Sequence, residues 1–213
     1  MNKIDRIRHF RENYSHLIPD SMIEWLDNRG YFDSPASAKY HGAYKGGLYD
    51  HSLNVTETLC SYTELLNLTW QREESPYYIG LFHDLCKMGQ YKEIPEGFGY
   101  IDKKSQELLG HGEKSIMLLA QQMALTEEEV YCIRYHMGAY NTSDWDQLDV
   151  AIKKYPNILH VHNADMYASK ILDKDPIKIS HNELMELFRK TGKDLEEYEE
   201  FRQEYIDEGY VVT

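Results

Sequence analysis

The sequence predicts an all-α protein carrying one small β-hairpin. Three observations lead there. Apolar residues recur at helical spacing through most of the chain, the period shortens to two only around residues 90–102, and no strand–helix–strand alternation appears. Ile4, Ile7 and Phe10, at three-residue spacing, predict a helix over 3–13. Asp20-Ser21 offers a cap for a second helix through Leu26, stopped near Gly30. Residues 31–50, with Pro35, Gly42, Gly46 and Gly47, read as irregular. From His51 to about Leu66 a broad stripe of Leu53, Val55, Leu59, Tyr62, Leu65 and Leu66 predicts the next helix. Ser75-Pro76 opens another through about Lys87, with proline at the first helical position. Its run Tyr-Tyr-Ile-Gly-Leu-Phe-His-Asp-Leu-Cys is apolar nearly all round, which places it centrally.

Residues 91–94, the turn Pro95-Glu96-Gly97 and residues 98–101 form the hairpin. Helical spacing resumes from about Gly110 to Met123. Thr126-Glu127-Glu128-Glu129 has the form of a capping box and predicts a helix through about Met137. Residues 139–155 carry no clear period. Asn157 to Leu172, then 180–191 and 193–207, are again helical. The last has an acidic outer face of Asp194, Glu196, Glu197, Glu199, Glu200 and Glu204. The chain of 213 residues reads as one domain with its core over 40–172 and a C-terminal helical extension over 173–213.

The charge balance narrows the partners. Asp and Glu number 36 against 23 Lys and Arg, a formal net charge of -13. Such a surface opposes long nucleic acid, which needs a broad cationic track, yet leaves room for a small anion in a local pocket. No apolar run approaches the ~20 residues of a membrane span. The first residues are charged and contain no signal core, so a cytoplasmic location is expected. Cys60, Cys86 and Cys132 are scattered, which suits reduced thiols and matches no zinc-finger spacing.

The strongest local signal is His83-Asp84 inside the apolar stretch. Burying an imidazole beside a carboxylate is costly unless the two pair or bind a metal. Alone, the pair reads as a hydrogen-bonded core contact. It has company, however: His51, His111, His136 and Asp165 each fall near a helix end or in an apolar context on other helices. Bundles build metal sites from inward side chains on facing helices. Four imidazoles and two carboxylates suffice for two ions that share a bridging ligand.

In this order the blocks Lys-Gly-Gly-Leu-Tyr-Asp-His (45–51), Gly-Leu-Phe-His-Asp-Leu-Cys-Lys (80–87), Leu-Leu-Gly-His-Gly-Glu-Lys-Ser (108–115), Arg-Tyr-His-Met-Gly (134–138) and Asn-Ala-Asp (163–165) resemble the HD-domain metal-dependent phosphohydrolase superfamily over roughly 40–172. The resemblance implies an HD-type helical bundle. It implies that His51, His83, Asp84 and Asp165 hold one metal, and that Asp84 bridges to a second held also by His111 and His136. The ions would be two divalent transition metals, drawn from iron, manganese, nickel, cobalt and zinc. The implied reaction is hydrolysis of a phosphoester in a small nucleotide-like substrate, with a metal-bridging hydroxide as nucleophile and Asp84 and Lys87 as catalytic residues. The additional histidines resemble the binuclear subgroup. The Gly-Tyr-Pro signature of its cyclic-dinucleotide phosphodiesterases is absent, and the Gly-Gly-Leu and Leu-Gly-His blocks look more like its exoribonuclease-like branch. Rival readings are a diiron oxygenase of the same superfamily, a short-oligonucleotide nuclease, and a non-catalytic nucleotide-binding HD domain.

Other candidates are weaker. Lys87 lies four residues from His83 and three from Asp84, so a continuous helix would put all of them on one face, where the lysine can hold a phosphate oxygen. The residues Tyr91 and Tyr100, with Lys92, Lys103 and Lys104 nearby, suit a lid that stacks on a base or, equally, a homodimer contact. His162, three residues before Asp165, suits either a packed core histidine or a group touching the site.

Overall fold

The computed structural model describes residues 1–94, 97–101, 109–141, 145–173 and 177–213. In chain order its first elements are α1 (Lys3–Tyr14), α2 (Asp20–Asn28), α3 (Gly47–Leu66), α4 (Ser75–Phe82), β1 (Tyr91–Ile94) and β2 (Gly97–Tyr100). Next come α5 (His111–Leu119), α6 (Glu127–Arg134), α7 (Trp145–Lys154) and α8 (Asn157–Tyr167), then β3 (Ile177–Ile179), α9 (His181–Thr191), α10 (Tyr198–Asp207) and β4 (Tyr210–Val212). The class is the expected one, all-α with a small antiparallel hairpin. Among the described residues no helix is long and apolar enough to cross a membrane.

Two compact units divide the chain. The first takes in Met1–Tyr49, Lys87–Ile101 and Lys174–Thr213. In it α1 starts where the Asn2 side chain accepts the Asp5 N–H at 2.9 Å, a standard way of satisfying an orphan helix donor. The expected cap at Asp20-Ser21 is not used. Pro19, with its ring-fixed φ of -68° and extended ψ of 151°, takes the cap position and starts α2 one residue earlier. Phe10, Tyr31, Phe32 and Tyr49 form a fully buried aromatic cluster. Their ring centroids lie 5.2 Å (Tyr31 to Phe32) to 6.3 Å (Phe10 to Tyr31) apart, mostly edge-on. Strand β1 pairs antiparallel with β2, Tyr91 opposite Tyr100, and the two rings meet at 5.0 Å. The turn residues Pro95 and Glu96 lie outside the described residues, as do Lys103 and Lys104.

The same unit holds a short parallel pairing of β3 with β4, a departure from the all-helical C-terminal extension expected over 173–213. Three residues are too few to display a period, and the partner strand is contributed from far along the chain. Helices α9 and α10 connect them around Leu184, Phe188, Tyr198 and Phe201. The expected helix over 193–207 begins as a single tight turn at Leu195–Glu197 and becomes α-helical only from Tyr198.

The second unit takes in Asp50–Cys86 and Asp102–Asp173, hence α3 from Asp50, α4 and α5 to α8. Gly80 brings α4 against α3: a Cβ at this position would come 2.6 Å from Thr56 Cα. Gly112 does the same for α5 and α6, where a Cβ would sit 2.6 Å from the Arg134 carbonyl oxygen. Glu129, fully buried, ties α4 to α6. Its carboxylate accepts Arg72 Nε at 3.0 Å, Ser75 Oγ at 2.8 Å and the Thr126 N–H at 2.8 Å. Thr126 completes the expected capping box by accepting the Glu129 N–H at 3.2 Å. Thr126→Ala is therefore expected to cost about 1 kcal/mol, read as a lower urea midpoint with an unchanged slope. An unaltered midpoint would remove the box from the account of α6.

Several boundaries differ from expectation, and two differences matter for chemistry. α4 stops at Phe82 rather than running to Lys87, and residues Leu85–Lys87 form a separate tight turn. The His83 ring supplies the reason. Its Nδ1 donates to the Gly80 carbonyl at 2.9 Å, the acceptor that the Asp84 N–H would need to prolong the helix. Just past the end of α6 at Arg134, His136 Nδ1 likewise donates to the Ile133 carbonyl at 2.7 Å. Consequently His83, Asp84 and Lys87 do not share one α-helical face. The unassigned stretch 139–155 contains α7, and α8 continues as a π turn over Ala168–Leu172.

Candidate metal centre

Four helix-borne segments of the second unit aim side chains at one point. α3 supplies His51 in its second turn, the end of α4 supplies His83 and Asp84, the end of α6 supplies His136, and α8 supplies Asp165. All five are buried. His51 Nε2 lies 3.3 Å from His83 Nε2, 3.2 Å from Asp165 Oδ1 and 3.8 Å from Asp84 Oδ2. Two sets of donor atoms, His51-His83-Asp84 and His83-His136-Asp165, each fall within 4.8 Å of one another. Ligand atoms around an ion bound at ~2.1 Å sit at such separations.

The donor chemistry fits a cation. Because His83 and His136 spend Nδ1 on backbone carbonyls, Nε2 is left as the lone-pair nitrogen facing the centre. The His136 Nε2 is buried and has no hydrogen-bond partner among the described residues. A buried polar atom in that state costs free energy, which a bound cation would offset. Asp84 divides its oxygens: Oδ2 faces His83 at 3.5 Å and His51 at 3.8 Å, while Oδ1 faces His136 at 3.6 Å. That is the disposition of a carboxylate able to bridge two ions.

Two residues with no local signal in the sequence complete the surroundings. Asp173 Oδ2 meets His51 Nδ1 at 2.8 Å, and its Oδ1 accepts Asn54 Nδ2 at 2.8 Å. Asp173 lies 122 residues from His51, so no local spacing pairs them.

The remaining candidates are placed as follows. His111 opens α5, half-buried, with Nδ1 3.5 Å from Cys86 Sγ; it belongs to none of the compact donor sets found among the described residues. His162 donates through Nδ1 to the His136 carbonyl at 2.7 Å and so braces the backbone that carries His136. Lys87, half-buried, ends the tight turn after Asp84 and belongs to the first unit. Tyr91 and Tyr100 are the cross-strand pair of the hairpin in that unit.

Titration follows from this geometry. Burial alone would lower the His51 pKa, but hydrogen bonds to Asp165 and Asp173 reverse that and raise it to about 9. Burial also opposes the charged form of Asp165, yet the His51 contact holds it well below the usual carboxylate range. His136, buried and near His83, is lowered to about 4, with Asp84 and Asp165 opposing the shift. In metal-free protein the two histidines act on opposite sides of neutrality. The His51 contribution is complete below the unfolded value of ~6.5 and is lost as pH rises through about 9. His136 stays neutral while its unfolded counterpart takes a proton, so stability is lost as pH falls from ~6.5 toward about 4. Thermal melts of chelator-treated protein should show a maximum near pH ~6.5; a flat profile between pH ~5 and ~9 would contradict these assignments.

No family model matches the chain, and no solved structure matches it. The chain is similar to the dihydroneopterin 2',3'-cyclic phosphate phosphodiesterase of Methanocaldococcus jannaschii, 26% identical over 144 residues that make up 66% of this chain and 53% of that protein. The chain thus spans about half the length of this curated relative.

Proposed function

We propose that this chain is a metal-dependent phosphodiesterase of the HD type, acting on a phosphoester of a small nucleotide-like molecule. The observation that carries the reading is the buried His51-His83-Asp84-His136-Asp165 constellation, with the His136 Nε2 bare of hydrogen-bond partners among the described residues. The similarity to a cyclic-phosphate phosphodiesterase supports the reaction class. When bound, divalent ions supply an acidified water and a Lewis acid for a phosphoryl oxygen. His51, His83, Asp84 and Asp165 are the proposed ligands of one ion. Asp84, His111 and His136 are those proposed for a second, and the split of the Asp84 oxygens supports the bridge. The protein's own part is to bury and orient these donors so that little reorganisation is needed when charge develops on the substrate. Lys87 is the proposed point charge for a phosphate oxygen, with Tyr91, Tyr100 and His162 as lesser candidates for substrate contact.

The test joins metal analysis to a hydrolysis screen. Protein as purified, or reloaded with Mn²⁺, Fe²⁺ or Co²⁺, should cleave bis(p-nitrophenyl) phosphate and nucleoside 2',3'-cyclic phosphates, and lose the activity to a chelator. Two metal equivalents per chain support the binuclear form, and one confines the site to the compact donor sets. Protein that retains no transition metal and hydrolyses neither substrate after reloading would remove the proposal.

A further inference from the structure

Asp165 and Asp173 approach one imidazole from opposite edges. Asp165 Oδ1 lies 3.2 Å from His51 Nε2, and Asp173 Oδ2 lies 2.8 Å from His51 Nδ1. Both carboxylates come from the same stretch of chain, eight residues apart. On an unbroken α-helix eight residues turn the second about 80° around the axis from the first. The chain avoids this through the π turn Ala168–Leu172, which closes with the Asp173 N–H on the Ala168 carbonyl at 2.8 Å. A π turn takes in one extra residue, and that brings the offset down to roughly 20°. The irregularity thus places a second carboxylate beside the imidazole that the first already faces.

Asp173 is held in its turn. The Asp173 side chain is 3% exposed, and its other oxygen accepts Asn54 Nδ2 at 2.8 Å. Asn54 sits three residues after His51 on α3, on the same helix face. The chain of contacts runs from Asn54 to Asp173 to His51 Nδ1, and a buried carboxylate with both oxygens engaged has little freedom to leave.

We infer that Asp173, braced by Asn54 and delivered by the π turn, is a positioning residue that locks the His51 ring with its Nδ1–H outward and its Nε2 lone pair toward the metal. This rests on the metal-site reading above. A carboxylate behind a ligating imidazole fixes its tautomer and raises its basicity, and loss of such a partner costs 10- to 100-fold in metal affinity as an order of magnitude.

Co²⁺ titration of the full chain tests it, with visible absorption as the readout and thermal melting beside it. Asp173→Ala should weaken Co²⁺ binding about 10- to 100-fold and alter the band positions. Asp173→Asn keeps an oxygen for the Nδ1–H and should recover most of the affinity. Asn54→Ala should give a loss of a few fold with an unchanged melting temperature. A merely structural role would lower the melting temperature of these variants while leaving the affinity and spectrum of the folded fraction intact. Wild-type protein that takes up no Co²⁺ overturns the metal reading itself. Wild-type uptake with undiminished uptake by Asp173→Ala and Asp173→Asn overturns the role of Asp173 alone. Should Asp173→Ala fail to fold, Asn54→Ala decides: wild-type affinity and spectrum in that variant overturn the inference.

Discussion

Asp84→Ala is expected to strip the protein of bound metal and drive hydrolysis to background, a fall on the order of 10³-fold or more. Asp84 faces His51 and His83 with one oxygen and His136 with the other. Its side chain is 3% exposed, so solvent is poorly placed to replace either contact. Alanine would leave the imidazoles of His51, His83 and His136 converging with Asp165 as the remaining carboxylate of the group. Cation binding would lose both a negative charge and the link between two donor sets. Asp84→Asn separates these roles, since it keeps the shape and one acceptor oxygen but gives up the charge. It should hold metal more weakly than wild type and better than Asp84→Ala. Metal content after dialysis, measured beside the hydrolysis rate and a circular dichroism melt, reads out the effect. Full metal content and full rate in folded Asp84→Ala would show the site to be wrongly assigned.

Gly80→Val should destabilise the fold by about 3 kcal/mol or more and weaken the centre at the same time. A Cβ at Gly80 would stand 2.6 Å from Thr56 Cα and 2.9 Å from Thr56 N. Those are backbone atoms of α3, so no rotamer change relieves the overlap; α4 must move away from α3. The same displacement parts His83 from His51, whose Nε2 atoms lie 3.3 Å apart. For a chain of this size the cost corresponds to a melting temperature lower by roughly 6–12 °C. Folded Gly80→Val should also bind Co²⁺ more weakly than wild type. A variant with unchanged melting temperature and affinity would show that the helices tolerate separation and that the close approach does not set the site.

The helices and the site differ in how far local sequence specifies them. Helices α1, α2, α3, α5, α6, α8 and α9 fall where periodicity puts them, within a few residues. Their apolar faces are local properties that repeat every third or fourth residue. The end of α4 at Phe82 escapes the sequence pattern because the hydrophobic run continues past it. What stops the helix is a side chain, His83, that takes the Gly80 carbonyl, and periodicity cannot register competition for one acceptor. β3 and β4 leave no mark in the sequence pattern because a three-residue strand is defined by its partner. The candidate ligands stood out for a different reason: histidine and aspartate are expensive in apolar surroundings, and that cost is visible in the letters alone.

By itself, then, the sequence determined the all-α class, the hairpin, the identity of the candidate donor residues and the acidic charge balance. Tertiary structure alone decided which of them meet. It joined five of the six donors in compact sets, left His111 against Cys86, and turned the two Asp84 oxygens toward different imidazoles. It also brought Asp173 and Asn54 to His51. The physical reason is that spacing along a helix fixes a residue's face only while the helix remains regular and only for its own axis. A π turn resets the phase, a glycine contact sets the distance between axes, and hydrogen-bond partners across 119 and 122 residues of chain are chosen when the elements close on one another.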